Sequence, residues 1–461
     1  MEQSKKFKRY NIVELRETAP KKFGIFIMAL KNLINSDDWS RICGIHGDSF
    51  KPGDKQVKCP TDPAEVTKIG ETGEPFYCKH SVYSFIAWHA PYIYQFELLL
   101  NKYNRSKYQD YITLPWLDLT DFTSDYSFLN DPEITIYYDS RFITTENPLS
   151  AAYYYIDGVR TRTTRFGFLT PTNGKQYIQL KTVRKQLKET LHASNYEEFS
   201  SAANLEVSYT PLETPHNSLH NIIGGNNGNM SSINIAAFDP LFWLHHCNMD
   251  RYYYSWYSNI TNQFTEPLFP KYIKQETLDE PCAPFFKHDV YSTDWNHYEY
   301  GWQNCTSTYA KVVDILEIHK FPYTYDIVEP VKEPFQAHKK SYVSLTNIQI
   351  PQESVEINVY MHLIGTEINK NRDFAGSAFW FGINQREVSC MRCKKSLTNI
   401  SIDISDFVDE NKINQSNISN YHVFIEAHGM LIRKFDSLLF NIYTEEELVK
   451  SGKVNIVVPP A

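Results

Sequence analysis

The apolar residues of this chain change period near residue 330, and that change divides what the chain can fold into. Upstream, Tyr92 to Tyr103 and Pro240 to Tyr257 keep apolar positions three and four residues apart, which puts them on one face of a helix. Downstream, Val355, Ile357, Val359, Met361 and Leu363 alternate with Glu356, Asn358, Tyr360 and His362. Ile400, Ile402 and Ile404 alternate likewise with Ser401 and Asp403. A period of two is that of a strand with one buried face. Glu329-Pro330-Val331-Lys332-Glu333-Pro334 interrupts both patterns. The expectation is a mainly helical domain over 1–330 and a smaller antiparallel β domain over 331–461, a sandwich.

With 461 residues there is length enough for both cores. Lys and Arg number 46 against 54 Asp and Glu, a net charge of −8, so a phosphate-neutralising surface is excluded and nucleic acid is not an expected partner. The eight cysteines are scattered and too few to be the main support of so long a chain. The opening MEQSKKFKRYNIVELRE is charged almost throughout, and its first apolar run, Phe23 to Leu30, lies between lysines; neither reads as a signal peptide. No stretch approaches the roughly eighteen apolar residues of a membrane span. The expected location is cytoplasmic, away from membranes, with homo-oligomerisation left open.

Of 15 histidines, seven fall in three short clusters of the helical part. These are His46 with His80 and His89, then His216 and His220, then the adjacent pair His245-His246. Four residues separate His216 from His220, so on a helix both rings share a face, the spacing that lets two imidazoles share a metal. Asp239 and Pro240 suit the start of a helix in which His246 points inward. Phe85 precedes His89 by four and Phe242 precedes His246 by four. Two similar half-sites facing each other across a four-helix bundle would show this pattern. By ligand type the histidines fit zinc, copper, iron or nickel, and spacing alone does not choose. A mononuclear zinc hydrolase needs only three of them.

At these residues the chain resembles the type-3 copper proteins, namely tyrosinases, catechol oxidases and molluscan haemocyanin units, and within them the fungal type of tyrosinase. GIHG, YCKH followed by WHAPY, PHNSLH followed by GG, and AAFDPLFWLHHCNMDR stand in that family's order. Leu114-Pro115-Trp116-Leu117-Asp118 resembles its PYWDW-like segment and Phe321-Pro322-Tyr323-Thr324-Tyr325 its tyrosine motif. FAGSAFWFG followed by Cys390-Met391-Arg392-Cys393 resembles its carboxy-terminal β domain. Two positions depart from the pattern: Ala90 stands where the family has arginine, and Ser81 where it has glycine.

The resemblance implies two copper ions, the first on His46, His80 and His89 and the second on His216, His220 and His246, with His245 supporting them and O2 as co-substrate. It implies a thioether from Cys78 to His80, and a substrate ring stacked near Phe242. Glu213 and Asn217 match the positions that order a water as base, which favours hydroxylation of monophenols as well as oxidation of o-diphenols to o-quinones. The implied β domain covers the site and keeps the enzyme latent, with Phe379, Trp380 and Phe381 as candidates for the covering ring. Cys390 and Cys393 are candidates for handing over copper, since thiolates suit Cu(I). The competing expectation is a reversible oxygen carrier of haemocyanin type, which uses the same six histidines.

Overall fold

The computed structural model describes residues 6–47, 78–80, 82–156, 158–167, 174–201, 210–225, 227–263, 273–287, 290–292, 309–331, 341–349, 354–380, 397–414, 416–429, 442–443 and 454–457. Ser81, Phe381, Cys390 and Cys393 lie outside them, as does the side chain of Trp380.

The helical part is built on α1 (Pro20–Ile34), α2 (Asp37–Gly44), α3 (Phe85–Lys102), α4 (Gly174–Thr190), α5 (Glu213–Gly224) and α6 (Pro240–Gln263). Helices α3 and α6 are those the three-and-four spacing predicts, each extended by a few residues. Asp239 opens α6 as expected: its Oδ1 accepts the Leu241 amide at 2.9 Å, satisfying one of the donors a helix start leaves over. Its other oxygen takes the Arg165 Nε at 2.7 Å, so the cap is itself held. Helix α6 packs on both α3 and α5, and α1 packs on α3. Their facing sides join one apolar cluster that draws on residues from Ile12 to Tyr325.

The amino-terminal β1 (Phe7–Arg9) pairs in parallel with β2 (Tyr323–Tyr325), inside the tyrosine-rich segment singled out in the sequence. The pairing carries the fully buried Arg9 guanidinium between the long helices, 2.8 Å from Glu97 of α3 and 3.3 Å from Asp250 of α6, and 3.4 Å over the Tyr323 ring. Glu97 also accepts the Leu114 amide at 2.8 Å, which fastens the Leu114–Asp118 segment to α3. Ala90 is fully buried in α3.

The carboxy-terminal part contains two sheets. One orders β5 (Phe374–Trp380), β4 (Val355–Leu363), β7 (Tyr421–Gly429) and β8 (Ile442–Tyr443); the other orders β6 (Leu397–Asp403), β3 (Tyr342–Gln349) and β9 (Val454–Val457). Strands β4 and β6 are those the alternation predicts. A second apolar cluster takes Val355, Ile357, Val359 and Met361 from the first sheet and Val343 and Ile402 from the second. Strand β5 packs on α5 and α4. Glu356 Oε1 meets Lys175 Nζ and Gln179 Nε2 of α4, each at 2.6 Å, and Phe379 packs against the helical core. No helix among the described residues is long and apolar enough to cross a membrane.

Candidate metal centre

The first histidine trio reaches its site from three separate pieces of chain. His46 lies two residues beyond α2, His80 in irregular backbone before α3, and His89 one turn inside α3. The second trio stands on two helices, His216 and His220 on α5 and His246 on α6. Six candidate ligands from five stretches of chain thus meet in one place. His46, His89, His216, His220 and His246 are at most 2% exposed, and His80 is partly exposed.

The ring orientations are fixed by what holds the nitrogen turned away from the site. His46 Nδ1 donates to the Ile233 carbonyl at 2.8 Å, His89 Nδ1 to Phe85 at 2.7 Å, and His220 Nδ1 to Met230 at 2.8 Å. His216 Nδ1 donates to Asn217 Oδ1 at 2.9 Å. Each bond settles the tautomer and frees Nε2 as the metal-binding atom, which is how outer groups prepare a histidine ligand. Gly225, at φ 60°, ends α5 in the left-handed region, and six residues later Ser231 Oγ donates back to its carbonyl at 2.7 Å. That turn lays Met230 beside His220.

The free nitrogens converge. His246 Nε2 lies 3.2 Å from both His216 Nε2 and His220 Nε2. In the first trio the three ring centroids are 5.7 to 5.8 Å apart. Candidate ligand atoms of His46, Cys78, His80 and His89 all fall within 4.8 Å of one another, as do those of His216, His220, His245 and His246. His245 stacks on His216 at 5.1 Å, but the Nε2 convergence belongs to His246, and His245 Nε2 has no hydrogen-bond partner among the described residues. The trios abut: His89 stacks on His246 at 4.4 Å, and His80 stands 5.6 Å from His216.

The two phenylalanines one turn before a histidine repeat this symmetry. Phe85 packs on His89 at 4.9 Å and crosses to His216 at 4.8 Å, while Phe242 packs on His246 at 4.1 Å and crosses to His46 at 4.7 Å. Each ring therefore bridges both trios. Cys78 Sγ lies 2.9 Å from His46 Nε2 and 3.1 Å and 4.0 Å from the two nitrogens of His80.

Burial pushes all seven clustered imidazoles below their ordinary range, His89 and His220 to about 3, and neighbouring rings add to it for all but His89. They are neutral at neutral pH, the form a metal ligand requires. Glu213 is the first residue of α5, and its buried carboxylate accepts the Ser201 hydroxyl at 2.7 Å. The carbonyls of Ile233 and Met230 and the hydroxyl of Ser201 are participants that sequence reading missed. Backbone acceptors carry no residue-type signal, and only the folded chain brings them near.

A family model for the common central domain of tyrosinase matches residues 36–259, which include all seven clustered histidines. The tyrosinase of Neurospora crassa is 26% identical over 338 residues, 60% of this chain and 48% of that one. Hemocyanin A-type, units Ode to Odg, of Enteroctopus dofleini is 25% identical over 277 residues, 58% of this chain and 20% of that one. The structure of recombinant mushroom tyrosinase superposes with a TM-score of 0.66 at 18% identity, over 92% of this chain and 89% of that one. The chain spans about half the length of the fungal relatives it matches. Two imidazole clusters that fit a dicopper site lie in the segment that matches the common central domain of tyrosinase, and the chain is related to the fungal tyrosinases and molluscan hemocyanins.

Proposed function

We propose that this protein is a dicopper oxidase that uses O2 to convert monophenols and o-diphenols to o-quinones. The observation that carries the reading is the abutment of two imidazole trios with Nε2 atoms turned inward. One copper on His46, His80 and His89 and another on His216, His220 and His246 would supply the paired one-electron couples that O2 needs to accept electrons from a catechol. In balance, two catechols reduce one O2 to two waters, whereas one monophenol and one O2 give one o-quinone and one water.

The protein's own groups do the rest. Phe242, between His46 and His246, offers an apolar face on which a substrate ring stacks. Asn217 fixes the His216 ring from behind. A phenol, with a pKa near 10, must lose its proton to bind, and Glu213 with Asn217 is assigned to hold the water that takes it. Cys78 Sγ, between His46 and His80, is placed for the thioether that would clamp the His80 ring, which stands on irregular backbone.

The domain boundary is assigned to 330/331, between a four-helix bundle and a β-sandwich. The β domain, docked on α5 through β5, is assigned a latency function with Phe379 as covering ring. Copper analysis and oxygen uptake test the reading together. Two coppers per chain and catechol-dependent uptake, rising after limited proteolysis near Pro330, are expected. Uptake of fewer than two coppers per chain overturns it. The relation to octopus hemocyanin favours a second reading, a reversible oxygen carrier; reversible oxygenation without turnover, before and after cleavage, would select it.

A further inference from the structure

Strands β4 and β7 place His362 directly opposite His422 in antiparallel register. Met361 and Val423 beside them point into the second apolar cluster, so by alternation the two imidazoles share the other face of the sheet, away from that cluster. The rings are 5.4 Å apart at 31°. Both nitrogens of His362 and Nδ1 of His422 are buried with no hydrogen-bond partner among the described residues. A buried polar atom left without a partner costs about 1–3 kcal/mol, so three on two facing side chains favour an occupant, a water or an ion.

The ring spacing suits an ion. With a metal–nitrogen bond of about 2.0–2.1 Å, an ion sits roughly 3.2 Å from the ring centre, and two tetrahedral imidazole ligands then have centroids about 5.2 Å apart. The observed 5.4 Å meets that value, and it falls within the 4.5 to 5.8 Å spanned by ring pairs inside the two histidine trios of the candidate metal centre. Direct cross-strand pairing also holds both rings on rigid backbone, which lowers the entropy lost on binding. Asp373, at 3% exposure, stands near His362, and its carboxylate is steadied by Arg372 Nε at 2.6 Å and the Asn369 amide at 2.7 Å.

We propose that His362 and His422 form a separate site for a divalent transition metal, zinc or copper, in the carboxy-terminal sheet, with solvent completing the coordination. The site is independent of the oxidase reading, because none of its residues belongs to the clustered seven.

Zinc titration of the full chain, first loaded with copper, tests the proposal by calorimetry and by metal analysis after dialysis. The expected result is one zinc per chain beyond the copper, a rise in thermal midpoint with zinc, and at least tenfold weaker zinc binding in both His362→Gln and His422→Gln, with copper content unchanged. Failure of the parent to take up that extra zinc overturns the proposal whatever the variants do. So does equal zinc affinity in the parent and in either folded variant. Should a Gln variant not fold, the His→Asn change at the same position replaces it under the same criteria.

Discussion

His216 and Asn217 are neighbours on one helix, yet the His216 Nδ1 donates to the Asn217 side-chain oxygen at 2.9 Å. Successive helical side chains point about 100° apart and do not ordinarily meet. Here the bond bends the amide back to the ring and keeps Nε2 aimed at His246. Asn217→Gly removes both this restraint and the proposed water partner. Catechol oxidation is expected to fall a few-fold and monophenol hydroxylation at least tenfold further, read as the ratio of the two oxygen-uptake rates. An unchanged ratio removes Asn217 from the proton-transfer assignment.

Cys78 Sγ lies 3.1 Å from His80 Nδ1, and the proposed thioether would join it to the His80 ring carbon, with two hydrogens passing to O2. Peptide mapping of the mature protein is expected to show one covalently linked fragment holding both residues, two hydrogen atoms lighter than the free pair, even where the chain is cut after Lys79. In Cys78→Ala the link is absent and first-site copper is lost more readily to a chelator. Separate, unmodified peptides from the copper-loaded parent would refute the assignment.

Much of this site was legible because its chemistry is local in sequence. The i,i+4 pair His216 and His220, the Asp239-Pro240 start and the Phe-to-His spacing each encode a piece of helix whose geometry follows from 3.6 residues per turn. The long-range features were not legible. The carbonyls of Ile233 and Met230 that orient His46 and His220, and the Ser201 hydroxyl on Glu213, come from segments with no period of their own. Glu213 is the first helical residue, Leu212 holds the cap position without a side-chain bond, and the carboxylate turns to Ser201. The alternation of β4 displayed His362, but only strand pairing sets it against His422.

Arg9 joins the chain's start to both long helices through Glu97 and Asp250, with all three side chains at most 1% exposed. Removing one member of a buried charge network leaves the others uncompensated, at about 3–5 kcal/mol. Arg9→Met is therefore expected to lower the unfolding free energy, read from urea titration, by an amount in that range. Glu97→Gln should cost less, because the amide still accepts from Arg9 and from Leu114. Equal, small effects would show that the network contributes little to stability.

His319 gives the fold a pH dependence away from the metal centre. Burial, reinforced by Lys6, lowers its pKa from 6.5 to about 4, and its ring stacks on Tyr254 at 4.4 Å beside the Ser258 hydroxyl. The unfolded chain binds this proton first on acidification. The stability contribution is thus present above pH 6.5 and is lost as pH falls through about 4. Partial exposure discounts the effect to on the order of 1 kcal/mol. His319→Gln is expected to flatten the urea midpoint between pH 7 and about 4 relative to the parent. Parallel profiles would exclude His319 as a source of the dependence.

The contact that holds the β domain is polar where it meets α4. Glu356 takes both Lys175 Nζ and Gln179 Nε2, and Lys185 reaches Asp406 at 3.1 Å. Such an interface is weaker than an apolar one of equal area, because water and salt compete for every bond. Phe379 on the adjacent strand packs against the helical core, so loosening Glu356 loosens the ring proposed to cover the site. Glu356→Ala removes the shared acceptor, which frees Lys175 and leaves Gln179 Nε2 only its bond to Ser377 Oγ at 3.2 Å. Catechol turnover by the intact chain should rise several-fold, with Phe379→Ala raising it as far or further, and 0.5 M salt should narrow the difference between parent and Glu356→Ala by screening the Lys175 pair first. If both variants match the parent before proteolysis and all three rise alike after it, neither Glu356 nor Phe379 restrains the site.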